Sequence, residues 1–147
     1  MKERLFDPVR GKYLQALPEE RVRRQLVDWL IAMVGVPARL VAVEYALSAL
    51  DPRSRKRADV VVWRPADAKE GGLTPWLLAE CKAPGVPLGE AVTDQVRHYA
   101  ARIRAEYVLV TNGDDTRLFR LDDAAYVAVA GLPAYPARAD GGELDAS

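Results

Sequence analysis

Two nearly unbroken apolar stretches, ADVVVW (58–63) and PWLLAECKA (75–83), decide most of what this chain can become. A strand with apolar side chains on both faces must be covered on both, which places it in the middle of a sheet flanked by helices. In the second stretch Trp76 and Leu78 share one face, Leu77 and Ala79 the other. The connection RPADAKEGGLT (64–74) is short and punctuated by Gly and Pro, so an antiparallel hairpin is the simplest way to join the two.

The remaining elements arrange themselves around this hairpin. Residues 1–17 show no period and read as an arm or irregular lead-in. In LPEERVRRQLVDWLIAMVG the apolar residues Val22, Leu26, Trp29, Leu30 and Met33 recur at helical spacing. Pro18 suits the first helical position, Glu19 and Glu20 suit the positive end of the helix dipole, and Gly35 with Pro37 supplies the stop. RLVAVEYAL (39–47) is β-branched and partly alternating, a strand, followed by the basic connection DPRSRKR (51–57). Residues 88–104 form a second predicted helix, with Leu88, Val92, Gln95, Tyr99 and Ile103 on one stripe. EYVLVTNG (106–113) and TRLFRL (116–121) are strands joined through NGDD.

The order is helix, three strands, helix, strand, strand. A helix between the third and fourth strands implies a parallel crossover, so the class is α/β with a central mixed sheet of about five strands flanked by helices. A chain of 147 residues is one domain's worth. Composition divides it into a domain over 1–123 and an Ala-, Gly- and Pro-rich tail over 124–147 that is expected to fray. The 21 basic and 21 acidic residues cancel, so only local clusters can speak for a polyanionic partner. One cysteine, Cys81, and one histidine, His98, exclude a disulfide framework and argue against zinc. No apolar stretch is long enough to span a bilayer and no signal peptide opens the chain, so it reads as cytoplasmic.

Chemistry enters where the apolar strands carry charge. Glu80 and Lys82 alternate with Cys81 and point the same way, about 6.5 Å apart. If Trp63 faces Trp76 across the hairpin mouth, the same register sets Asp59 opposite Glu80 with Cβ atoms about 4.5–5.5 Å apart. Two carboxylates so close repel unless something positive lies between them, and a hard cation with oxygen ligands such as Mg²⁺ satisfies that need. Lys82 stands within reach of a metal-bound water, a set suited to phosphodiester hydrolysis. A salt-bridged cluster of Arg57, Asp59, Glu80 and Lys82 is the plainer alternative. Glu19 lies three residues before Val22 and seven before Leu26, and so is expected to face the sheet. Gln95 and Tyr99 are a pair one helical turn apart. Arg53, Arg55, Lys56 and Arg57, ordinarily a solvated hairpin, would neutralise nucleic-acid phosphates if they lie beside such a site.

RADVVVW, LLAECKAP, DQVRHYA and YVLVTNG, preceded by PEERVRRQL, together resemble the PD-(D/E)xK nuclease superfamily, the restriction-endonuclease-like αβββαβ core, and most closely the N-terminal nuclease domain of type I restriction enzyme R subunits. The resemblance spans roughly residues 12–121. It implies a metal-dependent DNA endonuclease with Asp59, Glu80 and the Cys81 backbone carbonyl as ligands of Mg²⁺, Mn²⁺ being the expected substitute. It implies one of Glu19 and Glu20 as a further ligand, Lys82 as the catalytic lysine, and Gln95 as catalytic with Tyr99 supporting. Implied partners are DNA, a helicase or translocase or other restriction-modification subunit, and a second copy in a homodimer. The rival is a catalytically inactive nuclease-fold module that binds nucleic acid or a partner.

Overall fold

The computed structural model describes residues 4–7, 9–15 and 17–136. The class is α/β, as the two apolar strands require. The elements run β1 (Arg4–Asp7), β2 (Lys12–Gln15), α1 (Pro18–Trp29), β3 (Val41–Ala46), β4 (Arg57–Pro65), β5 (Leu73–Cys81), α2 (Glu90–Ile103), β6 (Tyr107–Thr111), β7 (Thr116–Asp122) and β8 (Ala125–Ala128). Among the described residues β1 and β2 form a small hairpin, where the sequence shows no period, and the other six strands make one sheet in chain order β3 to β8. Among the described residues only β5 and β6 pair in parallel, with α2 as the crossover between them.

The sheet separates two apolar layers. Val22, Leu26, Val27, Leu30 and Val34 pack with Val60, Val62, Leu77 and Ala79 on one side. Val96, Tyr99 and Ala100 of α2 pack with Val61, Leu78, Val108 and Val110 on the other. Leu77 and Leu78 are fully buried on opposite faces, so β5 is the centre of the fold. Truncating Leu77 to Ala is expected to cost about 2–5 kcal/mol of unfolding free energy in a denaturant titration, against less than about 0.5 kcal/mol for Met33→Ala.

Three local features depart from simple periodicity. The turn after α1 is a π-helix over Leu30–Val34, ended by Gly35 at a left-handed φ of +90°. Its wider winding returns Val34 to the sheet, so Met33 is 75% exposed and Trp29 41%, contrary to their expected place on the apolar stripe. On α2 the buried positions are Thr93, Val96, Tyr99 and Ala100, which leaves Gln95 exposed. Finally, Trp63 does not face Trp76: the β4–β5 register slips between Val62 and Trp63, which pairs with Pro75. Trp76 is thereby turned onto the α1 side, where its ring meets Tyr107 and Tyr135 edge-on with centroids 5.6 and 5.1 Å away.

Tyr135 belongs to a segment that composition assigned to a tail. Beyond Asp123, whose φ of +62° turns the chain, β8 pairs with β7. Residues 131–136 then return across the α1 side, where Tyr135 N–H donates to the Val34 carbonyl (2.9 Å) and its hydroxyl to that of Trp63 (2.7 Å). Short apolar residues and aromatic anchors give this stretch partners that its Gly and Pro content conceals. The remainder of the expected tail, 137–147, lies outside the described residues.

Candidate active site

The bulge at Trp76 lies at the far end of the hairpin from the charged residues. Between them the pairs Val60–Ala79, Val61–Leu78 and Val62–Leu77 hold a regular antiparallel register. Asp59 and Glu80 are the next residues beyond the last of these pairs, close enough for the Glu80 charge to act on Asp59, although the Trp pair that suggested their proximity does not form.

The Cys81 backbone N–H donates to Asp59 Oδ2 at 2.6 Å, fixing that carboxylate at the end of β5. Glu80 is held at both oxygens: the Tyr99 hydroxyl donates to Oε1 at 3.0 Å, and Lys82 Nζ lies 3.3 Å from Oε2. Lys82 is anchored in turn by its backbone N–H, which donates to the Thr111 carbonyl at 2.8 Å. The loop that follows is tied to β6 by buried Asn112, whose amide donates to the Val86 carbonyl at 2.8 Å. Asn112 Oδ1 also accepts the Asp114 and Asp115 N–H groups, so one side chain shapes both the β6–β7 turn and the loop after Lys82.

Burial, and next the neighbouring Glu80 charge, push the Asp59 carboxyl up to about 6, against the opposing pull of the Cys81 N–H, Arg23 and Lys82. Burial and the Glu80 charge thus outweigh the cations beside Asp59. Burial also raises the Tyr99 phenol, which stays protonated and can only donate to Glu80. The Cys81 thiol is raised by burial and by both carboxylates, so it is neither a thiolate ligand nor a nucleophile.

The first helix contributes differently from expectation. Glu19 is exposed, because at the first turn α1 has not yet settled on the sheet, and it is Glu20 that turns inward to pair with Arg23. Arg23 is buried, carries its charge beside Asp59, and also lies 3.5 Å from Glu44 on β3. Glu44 further pairs with Arg10 at 2.7 Å, and its carbonyl accepts from Arg57 Nη1 at 2.8 Å. Its φ of +50° is left-handed, rare for a residue with a side chain. Periodicity gives no signal for Arg23 or Glu44: an arginine in a basic helix looks solvated, and Glu44 falls on a polar position of its strand.

Arg53, Arg55, Lys56 and Arg57 are exposed on the approach to β4, at the same end of the sheet as Asp59. Arg53 leans on Asp51 at 3.5 Å. His98 is exposed, and Gln95 stands exposed one turn before Tyr99. Among the described residues no group of three or more His, Cys, Asp or Glu side chains is gathered as a metal cage. None of their helices is long and apolar enough to cross a membrane.

The family described as the type I restriction enzyme R protein N terminus matches residues 18–133, from the first residue of α1 to beyond β8. No curated protein matches the chain.

Proposed function

Because this chain belongs to the family of type I restriction enzyme R protein N-terminal domains, we propose that it is a metal-dependent DNA endonuclease domain with Asp59, Glu80 and Lys82 at its centre. The observation that carries the reading is the juxtaposition of Asp59 and Glu80 on adjoining strands with Lys82 beside them. A plain salt-bridge cluster accounts for it less well. Arg57 is turned to the Glu44 carbonyl, and Asp59 Oδ2 accepts from the Cys81 backbone N–H.

The donor set suits a hard divalent ion: two carboxylates, one of them held up at about 6 by burial and by the charge of the other. Asp59 and Glu80 would hold Mg²⁺, or Mn²⁺ in its place, with the Cys81 carbonyl as a third oxygen. Once bound, the ion supplies Lewis-acid stabilisation of the charge that develops on the phosphodiester. The chain's own groups do the rest. Tyr99 fixes Glu80, the Cys81 N–H fixes Asp59, and the Lys82 ammonium orients the attacking water beside Glu80 and stabilises the phosphorane charge. The exposed amide of Gln95 is available to substrate. Arg53, Arg55, Lys56 and Arg57 take backbone phosphates, so DNA runs along the end of the sheet. A restriction-modification subunit is the proposed partner, and a second copy would provide the second cut of a duplex.

Calorimetric titration of Mg²⁺ and Mn²⁺ into the protein, with melting temperature followed in parallel, tests this reading. Saturable binding is expected, with stabilisation of about 2.7 kcal/mol when the ion is at a hundred times its dissociation constant. Absence of both heat and thermal shift defeats the assignment.

A further inference from the structure

Arg23 stands where three elements meet: its guanidinium pairs with Glu20 on α1 and Glu44 on β3, and its charge acts on Asp59 of β4. The Arg23 side chain, only 7% exposed, lies between Glu20 and Glu44, which are 21% and 44% exposed. Glu44 is held unusually firmly. Arg10 and Arg23 pair with its carboxylate, and Arg57 donates to its carbonyl.

The backbone at Glu44 shows what this grip does. β3 pairs with β4 at Val43–Val60 and Tyr45–Ala58, but the intervening position, Glu44 against Asp59, forms no ladder pair. Val43 packs on the α1 side of the sheet and Tyr45 on the α2 side, although residues two apart in a strand ordinarily share a face. β4 changes face at the paired positions, Val60 and Ala58, so both strands turn here, and at Glu44 the turn takes a left-handed φ, a strain that persists only where the surroundings over-determine it. A forked, permanently charged guanidinium can hold two acids at once, where an ammonium is a point charge.

We propose that Arg23 is the resident counter-ion of the site, a positioning residue whose guanidinium occupies Glu20 and Glu44, keeps both out of the metal's coordination and confines the ion to the ligands on β4 and β5. The proposal rests on the metal-dependent reading above. It also revises the role of the helix glutamate: Glu20 serves Arg23 and not the metal. The arginine's own charge opposes the incoming ion, so it moderates affinity while it selects ligands.

Two substitutions move that balance in opposite directions. Arg23→Met removes a cation beside the ion and releases two acids, so the dissociation constant for Mg²⁺ or Mn²⁺ is expected to tighten by roughly three- to tenfold, while the metal-free melting temperature falls. Glu44→Gly deletes the acid shared by Arg10 and Arg23, and glycine accepts the left-handed backbone without strain. Its fold should survive, and the surplus positive charge should weaken metal binding by roughly three- to tenfold. A purely structural role for Arg23 would weaken binding in both variants or leave it unchanged.

Calorimetric titration of both ions into wild type and the two variants reads these shifts. Tightening in Arg23→Met with weakening in Glu44→Gly supports the proposal. Equal or weaker binding in Arg23→Met, or equal or tighter binding in Glu44→Gly, overturns it while wild-type binding leaves the nuclease reading intact. If Arg23→Met does not fold, Glu44→Gly decides alone by the same criterion. Absence of binding in wild type overturns both readings together.

Discussion

Lys82→Ala is expected to slow Mg²⁺-dependent nicking of supercoiled plasmid by about 10²–10⁴-fold, the usual worth of a positioned proton-transfer or charge-stabilising group. Binding should be spared. Lys82 is 34% exposed and its ion pair with Glu80 lies at the site's rim, so removing it lifts a positive charge from the metal's neighbourhood and leaves the fold anchored through the Lys82 backbone N–H on Thr111. The variant should therefore bind Mg²⁺ at least as tightly as wild type and melt within a few degrees of it. Equal nicking by both proteins would transfer the chemistry to other residues. Lys82→Arg separates charge from geometry: it restores the charge, but the planar, more diffuse guanidinium should recover only part of the rate.

Asp59→Asn should abolish nicking and yet make the metal-free protein more stable at neutral pH. In the folded protein the Asp59 carboxyl is raised from its ordinary value of 3.8 to about 6. The stability associated with its protonated form is therefore complete below pH 3.8 and lost as pH rises through about 6. At pH 7.5 the ionised carboxylate costs the metal-free fold roughly 2–3 kcal/mol. Asparagine escapes that cost and still offers an oxygen to the Cys81 N–H. Urea titrations at pH 7.5 without metal should show the variant more stable by about 1–3 kcal/mol, with the gap closing below pH 4. Saturating Mg²⁺ should reverse the ranking, because only wild type gains from it, and that gain should fade as pH drops through 6. A variant less stable than wild type at pH 7.5 in the absence of metal would show that burial and the Glu80 charge do not strain Asp59.

The parts of the fold that were readable from sequence are those where one residue's surroundings are decided by its neighbours in the chain. ADVVVW and PWLLAECKA are apolar on both faces wherever they are put, so they had to be central, and a helix between parallel strands followed from connection length. Asp59 and Glu80 were legible as partners because hairpin register extends a local pattern across two strands. The Trp63–Trp76 pairing failed because a bulge leaves no mark in alternation, and the register at the charged end was unaffected because the slip occurs beyond Val62. Trp29 and Met33 were misplaced for a similar reason: a π turn changes the period inside an otherwise regular helix. Arg23 and Glu44 were invisible because their role depends on contacts between α1, β3 and the β1–β2 connection, which no sequence spacing encodes. Residues past Asp123 were dismissed on composition, although Tyr135 closes the layer over Trp76.

The two acids come from strands that run in opposite directions, one near the beginning of β4 and the other near the end of β5. Their connecting turn, with Gly71 and Gly72 both at positive φ, therefore hangs from the opposite rim of the sheet, about 20 Å of strand away from the carboxylates. Lengthening that turn, or grafting a fluorophore or affinity peptide into it, leaves the register from Val62 to Asp59 untouched. The molecule thus offers a handle on one rim while its chemistry is confined to the other.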